Sequence, residues 1–203
     1  MSHPARFVFV GDSITDCERD RSDSASLGEG YVRLLADALA GRAGTVRNAG
    51  VSGDRAVDLE ARWADDVVAA DPSVLTIYVG VNDMWRRFDS DDPTSAADFE
   101  ATLRRLVEAL PSPRPRLLFV EPFFLPTTAE QEGWLDDLAG KRAAVARVAA
   151  DVEATLVPLH DRMTAAAARL GIPAVAPDGV HPSPAGHRMI ADAWLEAYER
   201  ATP

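Results

Sequence analysis

Five short apolar segments alternate along this chain with longer segments in which apolar residues recur at helical spacing. The short segments, rich in β-branched and aromatic residues, cover 7–10, 45–48, 74–79, 116–120 and 155–158. The helical patterns cover 31–39, 56–70, 94–110, 129–152 and 184–198. Strands that alternate with helices form a parallel sheet with helices on both faces. We therefore predict an α/β protein, a single-domain three-layer α/β/α sandwich over residues 1–203. Right-handed connections favour a five-stranded parallel sheet in the flavodoxin-like order 2-1-3-4-5.

The charge and the cysteine content restrict the partners and the compartment. The chain has 32 acidic and 21 basic residues, which gives a formal net charge of −11 at pH 7. Such a surface repels phosphate backbones and anionic membranes, so we expect a small neutral substrate, no nucleic acid and no membrane. Cys17 is the only cysteine, and the first apolar run is too short for a signal peptide. These features predict a cytoplasmic protein.

Polar segments follow three of the predicted strands, and a fourth precedes the last helix. They are Gly11-Asp12-Ser13 after the first strand, residues 48–54 after the second, Gly80-Val81-Asn82-Asp83 after the third, and Asp178-Gly179-Val180-His181. Because the carboxyl ends of parallel strands meet at one edge of the sheet, we expect these segments to lie close together. That edge would then carry a serine, a histidine and an aspartate.

These residues are the types that nucleophilic acyl transfer needs. Ser13 can supply the nucleophile, His181 the base that takes its proton, and Asp178 the carboxylate that orients the imidazole. The backbone N–H groups of Ser13 and Gly53 and the side-chain amide of Asn82 can donate to the developing oxyanion. We therefore interpret the edge as an acyl-transfer site.

Each feature also has a purely structural explanation. An isolated Asp-x-x-His is usually a surface turn, and Asn82 and Asp83 could simply cap the helix that follows them. Gly50 and Gly53 could serve only a strand-to-helix turn. The joint occurrence of these features on one predicted edge favours the catalytic interpretation.

Other serines and histidines compete for the same roles. Ser52 lacks the Gly-x-Ser-x-Gly spacing of a nucleophile elbow. His3 lies near the start of the chain, His160 could pair with its neighbour Asp161, and His187 falls on the last helix. We prefer Ser13 as the nucleophile and His181 as the base.

Nucleotide and metal sites are not indicated. The segment Gly28-Glu29-Gly30 lacks the third glycine of a dinucleotide-binding loop. Asp16, Glu18, Asp20 and Asp23 resemble a loose solvated acidic run without His or Cys spacing. We expect no cofactor and no metal.

The four polar segments resemble, in order, the motif blocks of the SGNH hydrolases, also called the GDSL esterase/lipase family. Gly11-Asp12-Ser13 is similar to the first block with its nucleophile, and Gly53 to the glycine of the second. Gly80-x-Asn82-Asp83 and Asp178-x-x-His181 are similar to the third and last blocks. This resemblance spans nearly the whole chain and implies a serine esterase with a Ser-His-Asp acyl-enzyme mechanism.

A narrower resemblance is to the intracellular acetylxylan esterases of this family. It rests on Gly11 to Cys17, Leu27-Gly28-x-Gly30-Tyr31-Val32, Asp58-Leu59-x-Ala61-Arg62-Trp63 and Asn82-Asp83-x-Trp85-Arg86. It implies removal of acetyl groups from acetylated xylo-oligosaccharides. The sequence differs from the pattern beside the site, at residues 52–54 and 178–180, so the sugar specificity stays open.

The resemblance leaves further expectations and alternatives. Asp12 and Asp83 are expected to fix loop geometry, and Tyr31, Trp85 and Arg86 to line an acyl or sugar pocket. For Trp85 the alternative is that it simply packs the helix. A lysophospholipase or a short-chain acyl thioesterase is the alternative enzyme, and a non-catalytic carbohydrate-binding or scaffold protein is the alternative of another class. A homo-oligomer is open, with an exposed apolar patch expected from Phe123, Phe124, Leu125 or Trp134.

Overall fold

The computed structural model describes residues 4–201, and its strands form one parallel sheet. The strands are Ala5–Gly11 (β1), Ala43–Gly50 (β2), Val74–Tyr78 (β3), Arg116–Val120 (β4) and Thr155–Val157 (β5). They lie in the order β2-β1-β3-β4-β5, and every neighbouring pair is parallel. The predicted order is confirmed, and each predicted strand bound lies within two residues of the observed one. His3 lies outside the described residues.

The helices fill the connections between the strands. They are Ser13–Asp16 (α1), Tyr31–Ala38 (α2), Ala56–Trp63 (α3), Val81–Asp89 (α4), Ala96–Glu108 (α5), Leu135–Asp151 (α6), His160–Leu170 (α7), Ile172–Val175 (α8) and Pro184–Arg200 (α9). The helix predicted over 56–70 is an α-helix that continues into a π-helical turn, Ala64–Val68. The helix predicted over 129–152 begins with a 3₁₀ segment, Glu130–Trp134. Helix α7 was not predicted, because its buried face is made of Met163 and alanines rather than large apolar residues.

The two faces of the sheet carry separate cores, as a three-layer sandwich requires. Alternate residues of β1 point to opposite faces, since successive strand residues do. Phe7 and Phe9 pack against Trp194 of α9, with ring centroids 6.1 Å and 5.5 Å apart. Val8 and Val10 belong to a second cluster of buried residues on the opposite face of the sheet, which includes residues of α3, α5 and α6. This packing fixes the direction of β1 and thus the place where its carboxyl end emerges.

The apolar patch expected from residues 123–125 does not form, and that expectation is wrong. Phe123 and Phe124 are fully buried and Leu125 is 3 % exposed, because the loop after β4 folds into the core. Trp134 is partly buried and stacks between Phe88 and Phe124. Within residues 4–201, no helix has both the length and the apolar character that crossing a bilayer requires.

Candidate active site

Three side chains that the sequence singled out form a continuous hydrogen-bonded chain at the carboxyl edge of the sheet. Ser13 Oγ lies 2.9 Å from His181 Nε2. On the other side of the ring, His181 Nδ1 lies 2.6 Å from Asp178 Oδ2. In this geometry an N–H at Nδ1 donates to the carboxylate, which leaves Nε2 free to accept the proton of the serine hydroxyl.

A tight turn brings Asp178 and His181 together. Asp178 Oδ1 accepts the backbone N–H of Val180 at 3.0 Å and of His181 at 2.7 Å. Gly179 has φ +86° in this turn, and its carbonyl accepts the N–H of Leu125 at 2.9 Å. The turn is therefore fastened both to its own carboxylate and to the loop after β4.

The hydrogen bonds of this turn also keep Asp178 ionised. Burial raises the pKa of Asp178, but the hydrogen bonds from the His181 ring and from the two backbone N–H groups outweigh it. The net pKa of the carboxyl lies below its ordinary value. Asp178 is therefore an anion near neutral pH and can stabilise a positive charge on the neighbouring imidazole.

Ser13 is placed by the abrupt end of β1. The strand ends at Gly11, Asp12 is the N-cap of helix α1, and Ser13 is its first residue. Asp12 Oδ1 accepts the N–H of Ile14 at 3.0 Å. A first helical residue has no partner for its N–H inside the helix, so the Ser13 N–H can serve a ligand.

Gly53 and Asn82 lie beside Ser13 at the same cavity. Gly53 has φ +90°, a conformation that residues with a side chain rarely adopt, and it lies in the turn from β2 to α3. Asn82 Nδ2 donates to the carbonyl of Asp54 at 3.0 Å. The amide nitrogen carries two N–H groups, so this bond orients Asn82 and leaves the second N–H for another acceptor.

Asn82 and Asp83 do not cap their own helix, so the simpler explanation of this motif is wrong. Gly80 holds the N-cap position of α4, and no side chain caps it by a hydrogen bond. The buried Asp83 carboxylate instead accepts the N–H of Ala56, the first residue of α3, at 3.2 and 3.3 Å. Asp83 therefore links the first turn of α4 to the helix that follows Gly53.

Asp12 and Asp83 are both buried carboxyls whose pKa values lie above the ordinary value. Burial raises the pKa of Asp12 to about 7 although the hydrogen bond from Ile14 opposes the shift, and the charge of Asp83 raises it further. Burial likewise raises the pKa of Asp83 to about 7 although the N–H of Ala56 opposes it. Asp12 Oδ2 is buried without a hydrogen-bond partner among residues 4–201. Asp12 is the N-cap of α1 and Asp83 lies in the first turn of α4, and neither residue lines the cavity.

Ser13 opens into a cavity of about 340 Å³. Besides the residues already described, its lining includes Ser52, Trp85, Arg86, Asp89 and Val180. Arg86 Nη1 donates to Asp89 Oδ2 at 2.6 Å, so its charge is paired within the lining. Trp85 and Arg86 both border this cavity, and Trp85 also packs against Phe124 and Trp134. Asp89 and Val180 also line the cavity, but the sequence did not indicate them. An acidic residue late in a helix and a valine in a turn are common, and neither matches a catalytic or binding motif.

Tyr31 does not line the cavity, and that expectation is wrong. Its side chain is fully buried against Phe9 and Tyr78 in the core, and its hydroxyl lies 2.9 Å from Thr15 Oγ1. Tyr31 therefore supports helix α1, which carries Ser13, from behind.

The rival residues are engaged elsewhere. Ser52 Oγ donates to Asp16 Oδ2 at 2.9 Å. His187 lies against Cys17 Sγ at 3.3 Å and accepts the N–H of Tyr31, and burial lowers its pKa to about 4. Neither Ser52 nor His187 is arranged as the nucleophile or base.

His160 and the acidic residues after Ser13 also differ from what the sequence suggested. Asp161 accepts from Arg142 at 3.1 Å, and the backbone N–H of His160 donates to Glu121. Asp16 is not solvated as expected, because it is buried and bonded to Arg21 and Ser52. Within the described part of the chain, no three His, Cys, Asp or Glu residues come together as metal ligands could.

Comparisons with known proteins identify relatives of this chain. The model of the GDSL-like lipase/acylhydrolase family matches residues 9–189. An acetylxylan esterase of Geobacillus stearothermophilus is 33 % identical over 202 residues, which cover 94 % of this chain and 92 % of the relative. The crystal structure of an acetylxylan esterase from that organism superposes with a TM-score of 0.87 at 32 % identity, covering 95 % of this chain and 93 % of the other. Catalytic mutants of that esterase replace a serine, a histidine or an aspartate by alanine.

Proposed function

Because this chain belongs to the GDSL-like lipase/acylhydrolase family, we propose that it is a serine esterase that removes acetyl groups from carbohydrate esters such as acetylated xylo-oligosaccharides. The observation that carries the proposal is the hydrogen-bonded chain from Ser13 through His181 to Asp178 at the cavity wall. The acetylxylan esterase relative supports the choice of an acetylated sugar as the substrate.

In the acylation step, Ser13 Oγ attacks the acetyl carbonyl carbon while His181 Nε2 takes the hydroxyl proton. The carbonyl oxygen becomes an oxyanion, which accepts hydrogen bonds from the N–H groups of Ser13 and Gly53 and from Asn82 Nδ2. The bond to the sugar oxygen then breaks, and His181 gives its proton to that oxygen. The sugar leaves as an alcohol and the acetyl group stays on Ser13.

In the deacylation step, water takes the place of the sugar. His181 Nε2 removes a proton from the water, whose oxygen attacks the acetyl carbon, and the same donors hold the second oxyanion. The bond to Ser13 Oγ breaks, the proton returns from His181 to Ser13, and the product leaves as acetic acid, which gives its remaining proton to water and becomes acetate. Asp178 holds the imidazole in one orientation and offsets its positive charge in both steps.

The cavity lining favours a sugar ester over the alternatives. Trp85 supplies an aromatic ring of the kind that packs against the apolar face of a pyranose, and the paired charges of Arg86 and Asp89 border the same cavity. A lysophospholipase would have to place a long acyl chain against this charged pair, and a short-chain acyl thioesterase would cleave a thioester rather than a sugar ester. A series of 4-nitrophenyl esters should therefore lose kcat/KM beyond the shortest acyl chains, and a preference for long chains would favour the lysophospholipase.

Covalent labelling separates the esterase from a non-catalytic binding protein. We expect a fluorophosphonate to label Ser13, and not the neighbouring Ser52, when the labelled peptide is identified by mass spectrometry. Ser13→Ala should lose both the labelling and the hydrolysis of acetylated xylobiose, whereas the matched variant Ser24→Ala, at an exposed serine that does not line the cavity, should keep both. Hydrolysis by Ser13→Ala at the unmodified rate would refute the proposed nucleophile.

The compartment and the assembly remain proposals with separate tests. A cytoplasmic location is supported by Cys17, a single thiol that lies against His187 and can form no internal disulfide. Fractionation of the producing cells should place the activity with the cytoplasmic markers. A homo-oligomer remains a prediction from the family resemblance, which sedimentation velocity would test.

A further inference from the structure

Arg62 lies at the ends of β1 and β2, and its guanidinium makes four hydrogen bonds there. Nη2 donates to the carbonyl of Gly11 at 3.1 Å, and Nη1 donates to the carbonyl of Ala49 at 2.7 Å. Nε donates to Asp54 Oδ2 at 2.7 Å, and Nη1 also donates to Asp66 Oδ2 at 2.6 Å. One largely buried side chain thus contacts two strand ends and a loop.

Three of these contacts, those with Gly11, Ala49 and Asp54, fall on the segments that carry or adjoin the proposed oxyanion donors. Gly11 lies two residues before Ser13. Ala49 is the penultimate residue of β2, the strand that leads to Gly53, and Asp54 follows that glycine directly. The carbonyl of Asp54 in turn accepts the amide of Asn82 at 3.0 Å. Each proposed donor therefore lies on a segment that the guanidinium of Arg62 contacts, or is hydrogen-bonded to such a segment.

The contacts need the shape of an arginine. A guanidinium presents five N–H groups in a fixed planar fork, so it can bond in several directions at once. The ammonium of a lysine has its three N–H groups on one atom and cannot reach two carbonyls and two carboxylates that surround the fork. The Arg62 side chain is 19 % exposed and that of Asp54 is 13 % exposed, so water screens their pair only in part.

We propose that Arg62 is a positioning residue that sets the mutual geometry of the three oxyanion donors. It is not among the residues that line the cavity, so it acts through the segments it holds rather than on the substrate. Donors must lie within hydrogen-bond reach of the oxyanion position, and small displacements weaken the stabilisation of the transition state. The inference rests on the proposed esterase function and specifies how that site is built.

The proposal is tested with Arg62→Met and Arg62→Lys in the full chain. Active sites are first counted by exhaustive fluorophosphonate labelling, so that kcat refers to folded enzyme. We expect kcat on 4-nitrophenyl acetate to fall by about 10- to 100-fold in both variants, with KM changed less than about two-fold. A trifluoromethyl ketone, whose hemiketal oxygen occupies the oxyanion position, should lose affinity by a similar factor. The matched control is Arg47→Met, which breaks a pair with the same Asp66 but contacts none of the donor segments in the described chain.

A double-variant comparison separates positioning from a general loss of stability. In the Asn82→Ala background the donor set is already damaged, so Arg62→Met should reduce kcat by a smaller factor than it does alone. Arg47→Met should have the same small effect in both backgrounds. If kcat per labelled site in Arg62→Met equals that of the unmodified enzyme, Arg62 has no positioning role, whatever its effect on the melting temperature.

A second variant covers the case in which the Arg62 variants do not fold. Asp54→Ala removes one contact of the guanidinium and keeps the backbone carbonyl that Asn82 uses. We expect it to lower kcat with KM unchanged, and an unchanged kcat would overturn the proposal. These results differ from a failure of the esterase function itself, which would appear as full activity in Ser13→Ala.

Discussion

Asn82 donates one N–H of its amide to the carbonyl of Asp54, and the proposed mechanism assigns the other N–H to the oxyanion. Asn82→Ala removes a donor that acts mainly in the transition state, so we expect kcat to fall by ~10²–10³-fold with KM nearly unchanged. Steady-state kinetics on 4-nitrophenyl acetate measure this. Asn82→Asp, which keeps the size but lacks the N–H groups, should be impaired as well. A kcat equal to that of the unmodified enzyme in Asn82→Ala would remove this residue from the oxyanion site.

Asp83 makes the stability of the protein depend on pH in an unusual direction. Its pKa is about 7 in the folded protein and near the ordinary value of 3.8 when unfolded. Between these two values the folded carboxyl keeps a proton that the unfolded one has lost, so stability falls as the pH rises through this window. Below about 3.8 the group contributes nothing, and above about 7 the full cost is present.

The neutral variant Asp83→Asn should remove the part of this dependence that Asp83 contributes, leave the part from Asp12, and keep an oxygen that can accept the N–H of Ala56. We expect it to gain stability relative to the unmodified protein between about pH 5 and about pH 8, by up to a few kcal/mol. Urea unfolding at both pH values measures the difference. Asp71→Asn is the matched control, because the Asp71 side chain is 77 % exposed. The same difference from the unmodified protein at both pH values would contradict the prediction.

The turn from Asp178 to His181 is the element on which the base depends. Gly179 has φ +86°, and a Cβ on it would lie 2.2 Å from the carbonyl oxygen of Leu125. Gly171 has nearly the same φ, +87°, but a Cβ there would meet only Pro173 Cδ at 3.8 Å. An alanine at Gly179 would therefore bear both backbone strain and a steric clash, whereas an alanine at Gly171 would bear backbone strain alone.

Gly179→Ala should displace His181 and lower kcat by about 10-fold or more, because the catalytic geometry tolerates only small shifts. Gly171→Ala also bears backbone strain, because a residue with a side chain rarely adopts φ +87°, and it should keep its kcat. Kinetics and thermal melting of the two variants test this together. Equal kcat in both would mean that the clash with Leu125 is relieved without moving the base.

The strands and most of the helices could be predicted because their signals are local. The β-branched and aromatic runs place all five strands, and the apolar repeat places α2, α5 and α9. Helix α7 lacks such a repeat, since Ala166 and Ala167 bury little apolar surface and resemble their exposed neighbours in the sequence. The π-helical turn at Ala64–Val68 also has no local signature.

The residues of the candidate site were predictable for a different reason. Ser13, Gly53, Asn82 and the Asp178 to His181 turn each follow a strand or precede a helix, so the topology alone brings them together. The burial of Tyr31 and the bond from Asp83 to Ala56 depend on the packing of segments distant in sequence. No periodicity or motif contains that information.

At the scale of the whole molecule, one sheet carries both helix layers and the complete candidate site. The core on one face of the sheet includes residues of α2 and α9, and the other includes residues of α3 and α5. Each layer thus depends on the same five strands, which supports the proposal that residues 1–203 form a single domain. Displacement of a strand would disturb several site segments at once.

The net charge of −11 acts on the substrate before it reaches the cavity. An acidic surface repels anions over distances up to about the Debye length, which shrinks from about 30 Å at 0.01 M salt to about 10 Å at 0.1 M. Inside the cavity the cation of Arg86 is paired with Asp89 and attracts anions weakly. The long-range repulsion should therefore dominate the approach of a charged substrate.

We therefore expect kcat/KM for an acetylated oligosaccharide that carries a uronic acid to rise between these two salt concentrations. A neutral acetylated xylobiose is the matched control, and its kcat/KM should stay constant because it has no charge to screen. The comparison uses the same enzyme and the same acetyl chemistry, so an effect of salt on the protein itself would change both substrates alike. A kcat/KM for the anionic substrate that falls with salt would show that Arg86 attracts the uronate more strongly than the surface repels it.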